Sequence, residues 1–278
     1  MIPIGLNPTT IGVSSAWWRD TAIAAEQAGF TGVWSWDHFV SRGKKKDPVL
    51  ECWTTLTAAA AVTSTLKVGS FINNVMNRHP AVLARMLATL WDQSKGRVEL
   101  GIGVGGFAAE EASYGINFPE PPVRVDILRE AVEVIRRLWS GGPVSYEGQH
   151  FQLNDAYAYP APEPPPRIIV GGEKPGGARL AAMVGDGWTT NGPDYEHLLP
   201  IHLEELARNG RTRSDVVHMV AVSMARDVPL ADQPLIADMA TFLGEWQERG
   251  ADEVVVSWVR PNELEPLLDA AARAGLAG

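Results

Sequence analysis

The stretch Thr31 to Phe39, Thr-Gly-Val-Trp-Ser-Trp-Asp-His-Phe, ends in a carboxylate and an imidazole, Asp37 and His38. An imidazole exchanges protons near neutral pH, which makes a histidine at a strand end a candidate acid or base. The stretch is β-branched and aromatic and is entered from a helix through Ala28-Gly29, so it reads as a buried strand. Closed and open α/β folds both place their chemistry at the carboxyl ends of such strands. The plain alternative is a hydrogen-bonded histidine that closes a strand. Its place beside Asp37, after an aromatic strand, favours proton transfer by His38.

Two glycine clusters come next. Gly101 to Gly106, Gly-Ile-Gly-Val-Gly-Gly, resembles a dinucleotide fingerprint, but that motif should open a long helix, and Phe107-Ala108-Ala109-Glu110-Glu111 begins only a short segment. These glycines suit close approach of the backbone to a planar ring or a phosphate. Gly171-Gly172, followed by Lys174, Pro175 and a helix carrying Arg179, is the stronger phosphate candidate, because free amides and a helix dipole meet there. Arg42 and Lys44 to Lys46 form a basic loop that reads as solvated, with attraction of an anionic substrate or tail as the second reading. Cys52 and most tryptophans read as packing, while Trp36 and Trp258 face strand ends and could line an apolar pocket.

The elements that must position these residues alternate along the chain. Strands are expected at Met1 to Asn7, Thr31 to Phe39, Leu66 to Asn73, Gly96 to Gly101, Arg167 to Val170, Gly187 to Thr190, Val216 to Met224 and Glu253 to Ser257. Helices are expected between them, at Trp17 to Gln27, Glu51 to Thr63, Ala81 to Gln93, Val123 to Trp139, Gly177 to Val184, Tyr195 to Asn209, Ile236 to Arg249 and Asn262 to Ala274. Gly29, Gly96, Gly185 and Gly250 each stand between a helix and a strand, where glycine in the left-handed conformation makes a short turn onto a parallel strand. Eight such units predict a single closed (β/α)8 barrel over residues 1–278. A small hairpin near 144–153 and the Phe107 to Pro122 loop are expected as insertions at its strand-end face. That face would collect Asn7, Asp37, His38, Asn73, Asn74, Val104 to Gly106, Gly171, Gly172, Thr190, Asn191, Arg226, Trp258 and Arg260, a set that suits a flat, phosphate-bearing cofactor better than a metal.

The 278 residues are 45% hydrophobic and 21% charged, enough for a large core. A net charge of −9 argues against a nucleic-acid partner, which needs a basic face. The single cysteine allows no intrachain disulfide, and no Cys/His cluster has zinc spacing. Neither a signal peptide nor an apolar run of membrane-spanning length is evident, so a soluble, cytoplasmic protein with no membrane partner is expected.

Several segments together resemble the luciferase-like monooxygenase superfamily, and most closely its branch that uses the deazaflavin coenzyme F420. They are Ala24 to Trp34, Asp37-His38-Phe39, Asn77 to Arg85, Gly96 to Gly103, Leu138 to Gly141, Glu147 to Phe151, Gly171-Gly172 and Gly185 to Trp188. The resemblance implies a (β/α)8 barrel with the deazaflavin across the strand ends, bordered by Asp37 and His38, with His38 as proton donor or acceptor. It implies contact with the cofactor from Ser70, Phe71, Asn73, Val104, Gly105 and Gly106, and with its phosphate from Gly171 and Gly172. It further implies a non-proline cis peptide between Ser70 and Phe71, and a homodimer. Two positions depart from the sugar-phosphate dehydrogenases of that branch: Gly106 stands where they carry a glutamate, and Arg42 where they carry a tryptophan. Sugar-phosphate oxidation is therefore not expected.

The reading that follows is an F420-dependent oxidoreductase moving a hydride between the deazaflavin and a small organic substrate. The alternative within the superfamily is an FMN monooxygenase fed with reduced flavin by a partner reductase. A cofactor-free lyase or isomerase would want an essential lysine or a carboxylate pair at strand ends, and a redox-dead binding protein would hold cofactor without turnover.

Overall fold

The computed structural model describes residues 1–41 and 46–277. Among them, eight parallel strands close on themselves: β1 Ile4–Pro8, β2 Gly32–Ser35, β3 Lys67–Ser70, β4 Val98–Gly103, β5 Ile168–Gly171, β6 Gly187–Asn191, β7 Val217–Val222 and β8 Glu253–Val259. Neighbours in sequence pair side by side, β8 pairs with β1, and β3 closes the ring onto β4. The outer layer is α1 Ser15–Gln27, α2 Cys52–Val62, α3 Pro80–Ser94, α4 Pro121–Trp139, α5 Pro175–Val184, α6 Gly192–Arg208, α7 Met239–Glu248 and α8 Pro261–Arg273. The expected (β/α)8 barrel is what the chain forms. Each αβ turn feeds the next parallel strand, and parallel strands need such crossovers.

The core divides by strand face. Outward-facing residues such as Leu6, Val33, Leu100, Val254 and Val256 join the helices in the large core, while Trp34, Ile169, Met219 and Val255 fill the barrel interior with Phe71 against them. Trp34 is fully buried, and its indole lies where Cβ atoms on Gly5 and Gly69 would stand. Those glycines are the space that the tryptophan occupies.

Helix starts follow local chemistry. Ser14 and Glu51 accept hydrogen bonds from the Trp17 and Thr54 amides, and proline opens α3, α4, α5 and α8. At the other ends Gly29, Gly96 and Gly250 take φ of +84°, +85° and +93°, as the repeated turn pattern predicts. Gly185 departs from it, with an extended φ of −85°. Glycine is needed there for space, since a Cβ would stand 2.6 Å from the Gly187 carbonyl oxygen and 2.9 Å from that of Ala181.

Two further expectations are corrected. The cis peptide falls at Phe71–Ile72, one bond later than expected, because the Phe71 amide still donates to the Ser35 carbonyl at 2.6 Å and the ladder holds through it. The hairpin, Val144–Glu147 against Gln152–Ala156, belongs to the α4–β5 connection and packs along the helix layer instead of over the strand ends. Its turn amides at Gln149, His150 and Phe151 donate to Glu130 on α4, and Phe151 meets His79 at the start of α3. The other insertion, after β4, does sit at the strand-end face and carries a short helix, Ala108–Ser113. Arg42, Lys44 and Lys45 lie outside the described residues. No described helix is long and apolar enough to cross a membrane.

Gly69→Ala should force Trp34 off its site, and overpacking of this kind costs about 1–3 kcal/mol; a melting temperature equal to wild type would refute the interior packing described. A second expectation concerns Glu26. Burial pushes its pKa up, but backbone amides of Thr65, Leu66 and Ser64 and the Thr65 hydroxyl overcome this and hold it down at about 2. A depressed carboxylate stabilises the fold above its unfolded pKa and loses that contribution as pH falls through the folded one. Glu26→Gln should therefore lower the urea midpoint near neutral pH, with the gap to wild type narrowing from about pH 4.5 down towards pH 2.

Candidate active site

β2 delivers Asp37 and His38 in opposite senses. Asp37 is buried and turned into Arg78, whose guanidinium grips both carboxylate oxygens at 2.7 and 3.0 Å. The Asn74 amide and the Asn77 side chain donate to the same carboxylate at 3.1 Å each. Burial raises the Asp37 pKa, and Arg78, Asn74 and Asn77 pull against it. Arg78 also donates to Glu51 at the start of α2 at 2.5 Å and to the side-chain Oδ1 of Asn73 at 3.1 Å. One guanidinium thus ties together the ends of β2 and β3 and the first turn of α2.

His38 turns towards the mouth, its side chain 20% exposed. Its Nδ1 lies 2.6 Å from Oε2 of Glu110, on the short helix after β4. The other carboxylate oxygen of Glu110 accepts the amides of Phe39 and Val40, so the acid is held on both oxygens. An ionised carboxylate only accepts, so in the tautomer assigned to this pair Nδ1 is the donor. The imidazole lies edge-on to the Trp36 ring at 4.6 Å and to the Phe107 ring at 6.4 Å.

The glycine loop is fastened from behind. Arg124 of α4 donates to the Val104 and Gly105 carbonyl oxygens at 3.0 Å each while its guanidinium lies over the Phe118 ring. Gly105 has φ +72°, and a Cβ there would stand 2.6 Å from Oδ1 of Asn74, so only glycine fits. Asn74 in turn donates to buried Glu111 at 2.6 Å. Beside Gly106 the space is open.

The floor of the mouth is the Phe71-Ile72 backbone. The Ile72 side chain drops into the room left by Gly101, Gly103 and Gly171: a Cβ on Gly103 or Gly171 would stand 2.4 or 2.1 Å from its Cδ1, and one on Gly101 2.1 Å from the Ser70 carbonyl oxygen. At one side, Gly172 packs on Gly177, and its amide donates to the Thr189 carbonyl at 2.9 Å. Amide donors for a phosphate are therefore those of the first turn of α5, at Gly176 and Gly177, which a helix leaves without intrahelical acceptors.

All ten residues expected at the site gather at the strand-end face, in two groups. His38, Phe71, Val104, Gly105, Gly106 and Gly171 keep some surface at the mouth. Asp37, Ser70 and Asn73 are buried in internal bonds, Ser70 to the Gly101 carbonyl and Asn73 to Trp53 and Arg78, and Gly172 is buried in strand-helix packing. Glu110, Glu111 and Arg78 were not singled out by type and spacing. The available signal was a pair of adjacent acids inside a short alanine-rich helix immediately after the glycines.

The residues at the mouth belong to a chain with known relatives. A family model for luciferase-like monooxygenases matches residues 9–242. An F420-dependent glucose-6-phosphate dehydrogenase of Kineococcus radiotolerans is 36% identical over 214 residues, 75% of this chain and 63% of that protein. An F420-dependent hydroxymycolic acid dehydrogenase of Mycobacterium tuberculosis is 37% identical over 174 residues, 62% of this chain and 48% of its own length. The chain thus spans less than two thirds of either relative. Among solved structures, an F420-dependent secondary alcohol dehydrogenase bound to an F420-acetone adduct superposes over 99% of this chain and 98% of its own, with a TM-score of 0.85 at 23% identity, a likeness of fold. With a matching barrel and a family model that spans most of its length, the chain belongs to the luciferase-like monooxygenase family.

Proposed function

We propose that this protein is an F420-dependent oxidoreductase that exchanges a hydride between the deazaflavin and a small alcohol or carbonyl compound. The observation that carries it is His38 fixed through Nδ1 by buried Glu110, at the strand-end face where Ile72 packs against three glycines. The names of the relatives support the choice of cofactor.

The residues fit such a group. The Phe71-Ile72 strip and the open side of Gly106 would receive its ring, and the first-turn amides of α5 with Lys174 its phosphate. When bound, the deazaflavin supplies the carbon that accepts or returns a hydride. His38 does the proton work at Nε2: as a substrate C–H gives up its hydride, Nε2 takes the hydroxyl proton and a carbonyl forms, and in reverse Nε2 returns it. Glu110 holds the tautomer that makes this possible and balances the imidazolium. Asp37, Arg78 and Arg124 act from beneath by fixing the strand end and glycine loop. The absence of a glutamate at position 106 supports a substrate other than a sugar phosphate, and the homodimer and cytoplasmic setting form part of the same proposal.

The test is titration of the protein with oxidised F420 and, separately, with FMN, following tryptophan fluorescence. Micromolar F420 binding with much weaker FMN binding is expected; the reverse preference would make the protein an FMN monooxygenase. His38→Ala should lower turnover about 100- to 10,000-fold and change the F420 dissociation constant little; near-normal turnover would remove His38 from the mechanism. In Glu110→Gln the oxygen must stay on the Phe39 and Val40 amides, which turns the amide nitrogen towards Nδ1 and forces the other tautomer. Turnover should fall at least about tenfold, and the 15N resonance of Nδ1 should move from the protonated to the unprotonated range. An unchanged resonance would show that Glu110 does not set the tautomer.

A further inference from the structure

β8 does not end as its alternation requires. Val255 faces the barrel interior, while Val254 and Val256 face the helices. Strict period two would send Trp258 outward to the helices and Val259 inward. Instead Asn7 pairs with Ser257 and Pro8 with Val259, so Trp258 is the extra residue of a bulge. Val259 is fully buried in the helix-facing core. Bulges of this kind re-aim side chains beside active sites.

The bulge holds Trp258 at φ +65°, a backbone region that L-residues with bulky side chains avoid. Burial of the ring does not repay this, because the residue is 43% exposed, more than any other tryptophan among the described residues. The indole lies edge-on to Trp36 at 4.3 Å, and Trp36 lies edge-on to His38 at 4.6 Å. Trp36 is itself clamped by its indole N–H to the Thr10 hydroxyl. An apolar rail of two indoles therefore runs across the end of β1 to the imidazole.

Three of the described cations at this face are engaged elsewhere. Arg78 is on Asp37, Glu51 and Asn73; Arg124 is on the Val104 and Gly105 carbonyls; Arg260 pairs with Glu263 at 4.0 Å. We propose that Trp258 is a substrate-binding residue and that its substrate is an alcohol or carbonyl compound bearing an apolar ring. The ring lies against the Trp258 indole, and the hydroxyl or carbonyl oxygen reaches Nε2 of His38. The assignment rests on the oxidoreductase reading for its chemistry, and on the bulge for its place.

The test uses acetophenone with its alcohol, 1-phenylethanol, against acetone and glucose 6-phosphate. Trp258→Gly is the informative variant because glycine accepts φ +65° freely, so its fold should be kept and its melting temperature should stay near wild type. KM for acetophenone should rise about tenfold or more with kcat changed little, KM for acetone should hardly move, and Trp258→Phe should restore most of the loss. Saturation-transfer NMR with acetophenone and no cofactor should show ring contact in wild type and its loss in Trp258→Gly. If F420 binds but acetophenone ignores Trp258, or glucose 6-phosphate is the better substrate, the substrate assignment falls and the oxidoreductase reading stands. If F420 does not bind but the acetophenone signal still depends on Trp258, the oxidoreductase reading falls and the ring site remains.

Discussion

The ion pair between Asp37 and Arg78 is the constraint on which the active face depends. A buried carboxylate is stable only when its lone pairs are met, and here a guanidinium, one backbone amide and one side-chain amide meet them. Because Arg78 also reaches Glu51 and Asn73, loss of the pair would free the end of β2, the end of β3 and the start of α2 together. His38 is the next residue along, so its position follows from that pair. The acid beside the histidine serves by holding the backbone, and the acid that touches the imidazole comes from another loop.

That division explains why the sequence discloses some of the site and conceals the rest. The barrel is legible because its evidence is local: a helix, a left-handed glycine at Gly29, Gly96 or Gly250, then a buried strand, repeated around the chain. His38 and the glycine clusters are legible for the same reason, since each ends a strand. Glu110 is not, because its meaning lies in a contact across 72 residues, and nothing within its own six-residue helix says that the carboxylate points at an imidazole. Gly185 looked like its three counterparts and differs, since spacing alone does not separate a glycine needed for φ from one needed for room. The cis bond missed by one residue because the Phe71 amide, bonded to Ser35, lengthens the ladder beyond the last residue of β3.

Buried charge at the opposite end of the barrel is arranged differently. Glu99 pairs there with Lys67 at 3.2 Å and with Arg167, and Glu253 lies beside them. Burial, with the neighbouring Glu99 charge, raises the Glu253 pKa to about 7. Oxygens of both acids lack a protein partner, whereas the Asp37 carboxylate is met on both sides. In barrels of this kind the amino ends of the strands hold the fold and the carboxyl ends do the chemistry. Here the more fully satisfied carboxylate stands at the carboxyl ends of the strands, next to His38.

The insertion after β4 ties the strand ends together. Glu110 and Glu111 share one short helix, and through them that helix bonds His38, the Phe39 and Val40 amides and Asn74. Arg124 holds the glycines that lead into it. A six-residue helix has little stability of its own, because nucleation costs more than one turn of hydrogen bonds returns. It persists by docking, and docking is what brings the carboxylate to the imidazole.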